Sequence, residues 1–519
     1  GFTKGQIIAA QPDHFDIDVA ENRFTTLSRY AFSIGHVNQY DGGQSLEKIT
    51  TKPLSSYAGV RLYDSSITTS SNNIKKIIFY ANETGFKFKQ DLDAKKCVEA
   101  LKADQALGEN VYYDGQSGTE LQAADVNAIY ATLTNGATEY ATVSKAQALN
   151  VYFPVLPQTI KGLTVVLIND QDQSCTVEVG DYKFESGKNN SIYIDLKDLK
   201  FENKYMVVDE ATLFSALESI KDATDDNAHY TIQLLRNVRI ENVMSHADYV
   251  GKYGSMFFNK NITIMTECAP EKNVGISLAS GEDMYIKSLN SAAKLDIQVP
   301  FTVEGAGCCE SEVARLSVGG ASSYIANVDF SKIINHGALA LANVDLNPAY
   351  INVKELVNEY DEWAIDKNKL SDAAQLFLVG ENNSNINIST LTNKGTITAS
   401  GVTVGNSDNL EGRSWTEYVN HFINRLTKDD HNARTVNVEI GTLTNEVSTD
   451  ANGGVINING FAELKVNALT NVSETAIIRT LNVEKDVANT TKDGRLVLTG
   501  ASTNNGIIDN NGVINLEKS

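Results

Sequence analysis

The triplet Leu-Thr-Asn closes "STLTN" at Asn393, "GTLTN" at Asn445 and "NALTN" at Asn471, and a looser echo, "GASTN", ends at Asn504. Each unit follows a short alternating segment: "INI" (386–388), "VEI" (438–440), "LKV" (464–466) and "LVL" (496–498). A repeated unit of strand, corner and strand cannot bury its own apolar face. It must stack on copies of itself, as the coils of a solenoid do. The asparagines are 52, 26 and 33 residues apart, which reads as a basic period near 26 with insertions, the first interval holding two coils. Stacked at ~4.8 Å per rung, Leu391, Leu443 and Leu469 form an inward column. The asparagines are expected as corner residues that hydrogen-bond their counterparts above and below. "ANVDF" (326–330) and "ANVDL" (342–346) read as a further repeat.

These features predict a right-handed parallel β-helix over 206–519, with about ten rungs. Handedness follows from the general preference of parallel crossovers. "DEATLFSALESIK" places Leu213, Phe214, Leu217 and Ile220 on one helical face, so a helix near 210–221 is expected to cap the first coil and shield its strand edge. Two helical excursions are expected. "VKELVNEYDEWAID" (353–366) aligns Val353, Leu356, Val357 and Tyr360, and "SWTEYVNHFINRL", at about 414–427, aligns Trp415, Tyr418, Val419, Phe422 and Leu426. Ser414 and Glu417 form a capping box for the second. These excursions carry the only two tryptophans, Trp363 and Trp415.

Residues 12–202 read differently. "FDIDV", "GVRLYDS", "IKKIIFYA", "TVVLIND", "CTVEVG" and "SIYIDL" are short, mostly alternating segments, as in an antiparallel β-sandwich. One helix, "DAKKCVEALKADQAL", interrupts them with Ala94, Cys97, Val98 and Leu101 on one face. The whole chain is therefore expected to be all-β and two-part.

The 519 residues carry a net charge of −21, which argues against a polyanionic partner such as nucleic acid. There is no apolar run long enough to span a bilayer. The chain opens on Gly1 without a Met, which fits a trimmed chain whose leader is missing. Five cysteines, including the vicinal Cys308–Cys309 pair, are too few and wrongly spaced for a disulfide framework or a structural zinc site.

The stretch 151–196 resembles the end of a pilin domain in Bacteroidales fimbrillins. Pro157-Gln158-Thr159, the segment Leu163 to Asn169 and Gly187-Lys188 occupy the places of that family's "PQT"-like element, "LTVTLTD" strand and "GK" turn. Upstream, "LSSYAGVRLYDS" and "NNIKKIIFYANETGFKF" look like its preceding strand pair. The resemblance covers about 12–202. It implies an exported outer-membrane lipoprotein of a Gram-negative anaerobe, anchored by lipid outside the given chain and serving as a pilus subunit or adhesin. It also implies a donor strand from another pilus subunit as a partner, and trypsin-like processing after Arg23 or Arg29. The departure is that no second sandwich with a donor strand follows, so a pilus tip or a lone surface adhesin fits better than a stalk subunit.

Catalytic signatures are weak. Glycoside hydrolysis needs two carboxylates across the sugar. The nearest candidates, Asp329 and Asp345 beside "NHG" at 335–337, lack the adjacent acid pair and basic residue of a polygalacturonase-like site. No P-loop, nucleophile elbow or cofactor fingerprint occurs, so no catalytic residue, metal or cofactor is assigned. Trp363 and Trp415 are candidates for stacking on sugar rings, against the plainer alternative that each packs its helix onto the solenoid wall. The expected function is cell-surface adhesion through the solenoid face, toward a glycan or protein of a host or microbe. The rivals are a β-helix polysaccharide lyase or hydrolase, and a plain spacer.

Overall fold

The computed structural model describes residues 7–10, 13–20, 33–35, 51–66, 71–81, 83, 85–87, 89–112, 125–225, 228–243, 255–268, 273–305, 313–320, 324–343, 349–359, 374–380, 385–401, 436–446, 454–458, 462–472, 480–483, 494–510 and 512–517. The chain divides into two compact units, Gly1–Val208 with Glu267–Lys272, and Asp209–Thr266 with Asn273–Ser519.

The first unit is a β-sandwich. One sheet runs Ser174–Phe184, Gln158–Asn169, Asn72–Tyr80, Ala128–Thr134 and His14–Asp18, with Ala141–Val143 also paired to Asn72–Tyr80. The other runs Leu149–Val155, Ser56–Tyr63 and Asn189–Asp195. Most pairs are antiparallel, but His14–Asp18 and Asn189–Asp195 each run parallel to their neighbour. Alternation sends Val60 and Leu62 from one sheet, and Ile77, Phe79, Val165 and Leu167 from the other, into a single core. Gln158 has a clear local role. Its buried amide accepts from the Lys87 backbone N–H at 2.8 Å and donates to the Lys87 carbonyl at 3.0 Å, in place of a strand pairing. The helix Ala94–Lys102 starts on Asp93, whose carboxylate accepts from the N–H groups of Lys95 and Lys96.

The second unit is a parallel β-helix of two stacked sheets. The longer sheet holds ten successive strands from His229–Leu234 to Val513–Leu516, and the shorter holds nine from Ser255–Phe258 to Ile507–Asn510. The chain alternates between them, and three coils add a second short strand to the long sheet: Val238–Ile240, Ile276–Leu278 and Thr503–Asn504. The helix Glu210–Asp222 packs its buried stripe of Leu213, Phe214, Leu217 and Ile220 against the first coil. A capping box between Asp209 and Thr212 fixes its start.

Each mature coil follows one rule on the long wall. Its inward positions are spaced two, three and two residues apart: Val328, Phe330, Ile333, Asn335, then Ile351, Val353, Leu356, Asn358, then Ile386, Ile388, Leu391, Asn393, and onward to Leu464, Val466, Leu469, Asn471. All are buried. The three-residue step puts two successive residues outside, such as Ser389 and Thr390, and interrupts the alternation of the strand.

This rule corrects three expectations. The excursion expected over 353–366 is a strand as far as Asn358, in Ala349–Asn358. The spacing of Val353, Leu356 and Val357 matches one helical face only because the inward step is three. The rest of that excursion, with Trp363, lies outside the described residues, as does the whole of 414–427 with Trp415. The 52-residue interval is one coil, since Asn393 pairs directly with Asn445. Because consecutive coils vary from 23 residues (Asn335 to Asn358) to 52, no fixed period exists. The two "ANVD" segments do not stack. Val328 is in register with Ile351, while Ala342 and Asn343 end a strand of the other sheet.

The asparagines end their strands at the corner and hydrogen-bond along the stack as expected, and they point into the core. Asn335 donates to Asn358 at 2.7 Å, Asn358 to Asn393 at 2.7 Å, Asn393 to Asn445 at 2.8 Å, Asn445 to Asn471 at 2.9 Å and Asn471 to Asn504 at 2.7 Å. The second N–H of several also reaches a backbone carbonyl where the short sheet begins: Gln375 from Asn335, Val455 from Asn393 and Gly454 from Asn445. A buried amide is costly when unpaired, so it is tolerated here because every rung supplies the next with a partner. Gly395 follows this corner because a Cβ there would lie 2.2 Å from the Ala374 carbonyl oxygen and 2.9 Å from Asn358 Nδ2.

Candidate functional site

The long wall faces outward through the residues that alternate with its buried ones. Register aligns them into two columns. The first passes through Lys294, Asn327, Tyr350, Asn385, Asn437 and Glu463. The second passes through Asp296, Asp329, Asn352, Asn387, Glu439 and Lys465. Adjacent members of a column sit one strand spacing apart, ~4.8 Å. The result is a polar strip on a rigid sheet.

One end of the strip is internally paired. Lys294 binds Asp329 at 2.5 Å, and that hydrogen bond holds the ammonium above its ordinary range. Asn352 donates to Asp329 at 2.7 Å, and Asn387 donates to Asn352 at 2.9 Å. Asp329 is therefore held in an amide and ammonium network, which suits a structural acceptor. Asp345, its expected counterpart, lies outside the described residues.

Toward the later coils the pairing thins out. Asn385, Asn387, Asn437, Val438, Glu439, Glu463 and Lys465 line a groove of about 400 Å³. Lys465 approaches Glu439 at 3.5 Å across adjacent rungs. Among the described residues, the side chains of Asn385, Asn437 and Glu463 make no hydrogen bond or ion pair. Tyr350 continues the column of Asn385 and Asn437 by one rung, and the residue is 39% exposed. The strip thus offers amides able to donate and accept, two carboxylates, one ammonium and one exposed aromatic ring.

The neighbouring half of the long wall presents a threonine column, Thr392, Thr444, Thr470 and Thr503, in register. Lys332 and Glu355 pair there at 2.7 Å. At the first coils Arg239 donates to Glu304 through Nε at 2.8 Å and Nη2 at 2.7 Å, and also bonds Glu241. Burial pushes the Glu304 carboxyl up, but the hydrogen bond and charge of Arg239 outweigh it and hold it below its ordinary range. Among the described residues, no three His, Cys, Asp or Glu side chains converge as metal ligands would, and no helix is long and apolar enough to cross a membrane.

Arg23, Arg29, Trp363 and Trp415 lie outside the described residues. The strip residues were missed because Tyr350, Asn385, Asn437 and Glu463 are 35, 52 and 26 residues apart in sequence. Only the register brings them together, and the signal for it was the shared asparagine after each strand.

No protein-family profile matches this chain, and no curated protein does. Among solved structures, it shows a partial likeness to a crystal structure described as a "putative cell adhesion protein" from Bacteroides ovatus. That likeness has 9% identity and a TM-score of 0.19, over 30% of this chain and 45% of the other, so this chain spans less than half of that protein. At that level the neighbour's properties are not carried over, and the polar strip with its groove stands as the candidate site on its own geometry.

Proposed function

We propose that this protein is a cell-surface adhesion protein whose β-helix displays the strip between Tyr350 and Lys465 to a ligand outside the cell. The observation that carries this reading is the groove, where amides and a carboxylate with no partner among the described residues stand on a sheet whose strands are joined at their far ends by the asparagine ladder. Such preorganised polar groups lose little freedom when they bind. The fimbrillin-like sequence of residues 12–202 supports an exported, lipid-anchored chain, placed at a pilus tip or alone on the outer membrane.

A second reading has one observation in its favour. Glu439 and Glu463 share the groove with Lys465, and carboxylates beside a cation are the material of a polysaccharide hydrolase or lyase. A glycan array run alongside a polysaccharide-degradation assay separates the two. Binding without shortening of the polymer supports adhesion, and shortening supports the enzyme. A protein that binds no glycan and no cell surface would refute both.

A further inference from the structure

The strip has a direction, a charge and an unmet hydrogen-bonding capacity, and together these define a class of ligand. Its columns run along the stack, so Tyr350, Asn385 and Asn437 recur at the strand spacing of ~4.8 Å, about the length of one sugar ring. The exposed Tyr350 ring lies in line with the groove and has no partner among the described residues, as a stacking platform requires. The amides of Asn385 and Asn437 each offer a donor and an acceptor, which matches the vicinal hydroxyls of a pyranose. The groove itself holds Glu439 and Glu463 against Lys465, whose charge Glu439 already engages. The field there is anionic and disfavours uronates, sulfated glycans and nucleic acid.

We propose that Tyr350 and the groove formed by Asn385, Asn437 and Glu463 bind an extended, uncharged polysaccharide that lies along the β-helix axis, one sugar per rung. This rests on the reading of the outer wall as a binding face. It adds the ligand class, its orientation and the aromatic anchor.

The test uses the full chain in affinity gel electrophoresis against xyloglucan, galactomannan and mixed-linkage β-glucan, with polygalacturonate as the anionic probe. At least one neutral polymer is expected to retard the protein. Tyr350→Ala and Asn437→Ala are each expected to weaken that binding about tenfold, while Lys354→Ala, exposed on the same strand beyond the groove, leaves it unchanged. Both positions are outward-facing, and equal melting temperatures confirm that the variants fold. In parallel, beads coated with the protein are applied to epithelial monolayers and bacterial lawns. Neutral-polymer binding that survives both substitutions overturns the site, and preferential retardation by polygalacturonate overturns the charge argument. Beads that adhere while no neutral polymer binds overturn the ligand class and leave adhesion standing. If neither beads nor polymers bind, the adhesion reading falls with the inference.

Discussion

Asn393→Ala tests whether the buried ladder holds the coils together. Asn393 accepts from Asn358 Nδ2 at 2.7 Å and donates to Asn445 Oδ1 at 2.8 Å and to the Val455 carbonyl at 3.2 Å. Each bond contributes about 1 kcal/mol net, and a buried polar atom left unpaired costs about 1–3 kcal/mol. Asn358 keeps longer contacts to the Ala374 and Thr396 carbonyls at 3.4 and 3.3 Å, so its loss is partial. Asn445 Oδ1 keeps no donor among the described residues. Without counting bond and orphan twice, the expected destabilisation is about 3–4 kcal/mol. Asn335→Ala should cost less, about 2 kcal/mol. Its Oδ1 is already without a partner at the ladder's start, and only its bonds to Asn358 and Gln375 are lost. Asn504→Ala, at the exposed far end, should cost under about 1 kcal/mol. Native-state hydrogen exchange read by mass spectrometry over 436–446 and 454–458 measures this locally. If Asn393→Ala matches Asn504→Ala, or if Asn393→Leu exchanges as slowly as the native chain, the ladder does not stabilise the stack and the reasoning fails.

Further expectations follow from the same physics. Asp209→Ala removes the helix cap and its capping box, and should lower the stability of the first coil by about 1 kcal/mol, read as faster exchange over 210–222. Gly395→Ala drives a methyl into the Ala374 carbonyl and the Asn358 amide. It should cost about 1–3 kcal/mol and loosen the same peptides as Asn393→Ala. The Glu304 carboxyl is held below its unfolded range by Arg239, so its stabilisation is present above the ordinary carboxylate pKa and is lost as pH falls through the folded value. Glu304→Gln should therefore flatten the acid limb of a pH–melting curve. Glu282 behaves oppositely. Burial first, then Glu210, Asp283 and Glu241, raise its carboxyl, so Glu282→Gln should raise the melting temperature at neutral pH, and an unchanged or lower value would refute the assignment.

Much of this was readable in the residues. The triplets "LTN" disclosed a stack of strands, the alternation in 12–202 disclosed a second all-β unit, and Leu213, Phe214, Leu217 and Ile220 disclosed the helix at the first coil. What stayed hidden depends on partners distant in sequence. Val353, Leu356 and Val357 satisfy both a helical face and a strand with a three-residue inward step, and only pairing with Val328–Asn335 decides between them. The asparagines were legible as bonded corner residues, but their burial depends on the next coil meeting each amide. Tyr350 and the groove residues carry no local motif, because loops of unequal length hide the register that aligns them.

The ladder has a consequence for how such a protein changes over generations. Coils of 23 and of 52 residues stack on one another with the same inward pattern and the same amide bond. Spacing along the axis is thus independent of how much chain each coil carries between its strands. Insertions and deletions between strands can accumulate without shifting the outward columns by a rung. The connecting segments are free to diversify while the outward strip keeps its dimensions, and selection can act on the two separately.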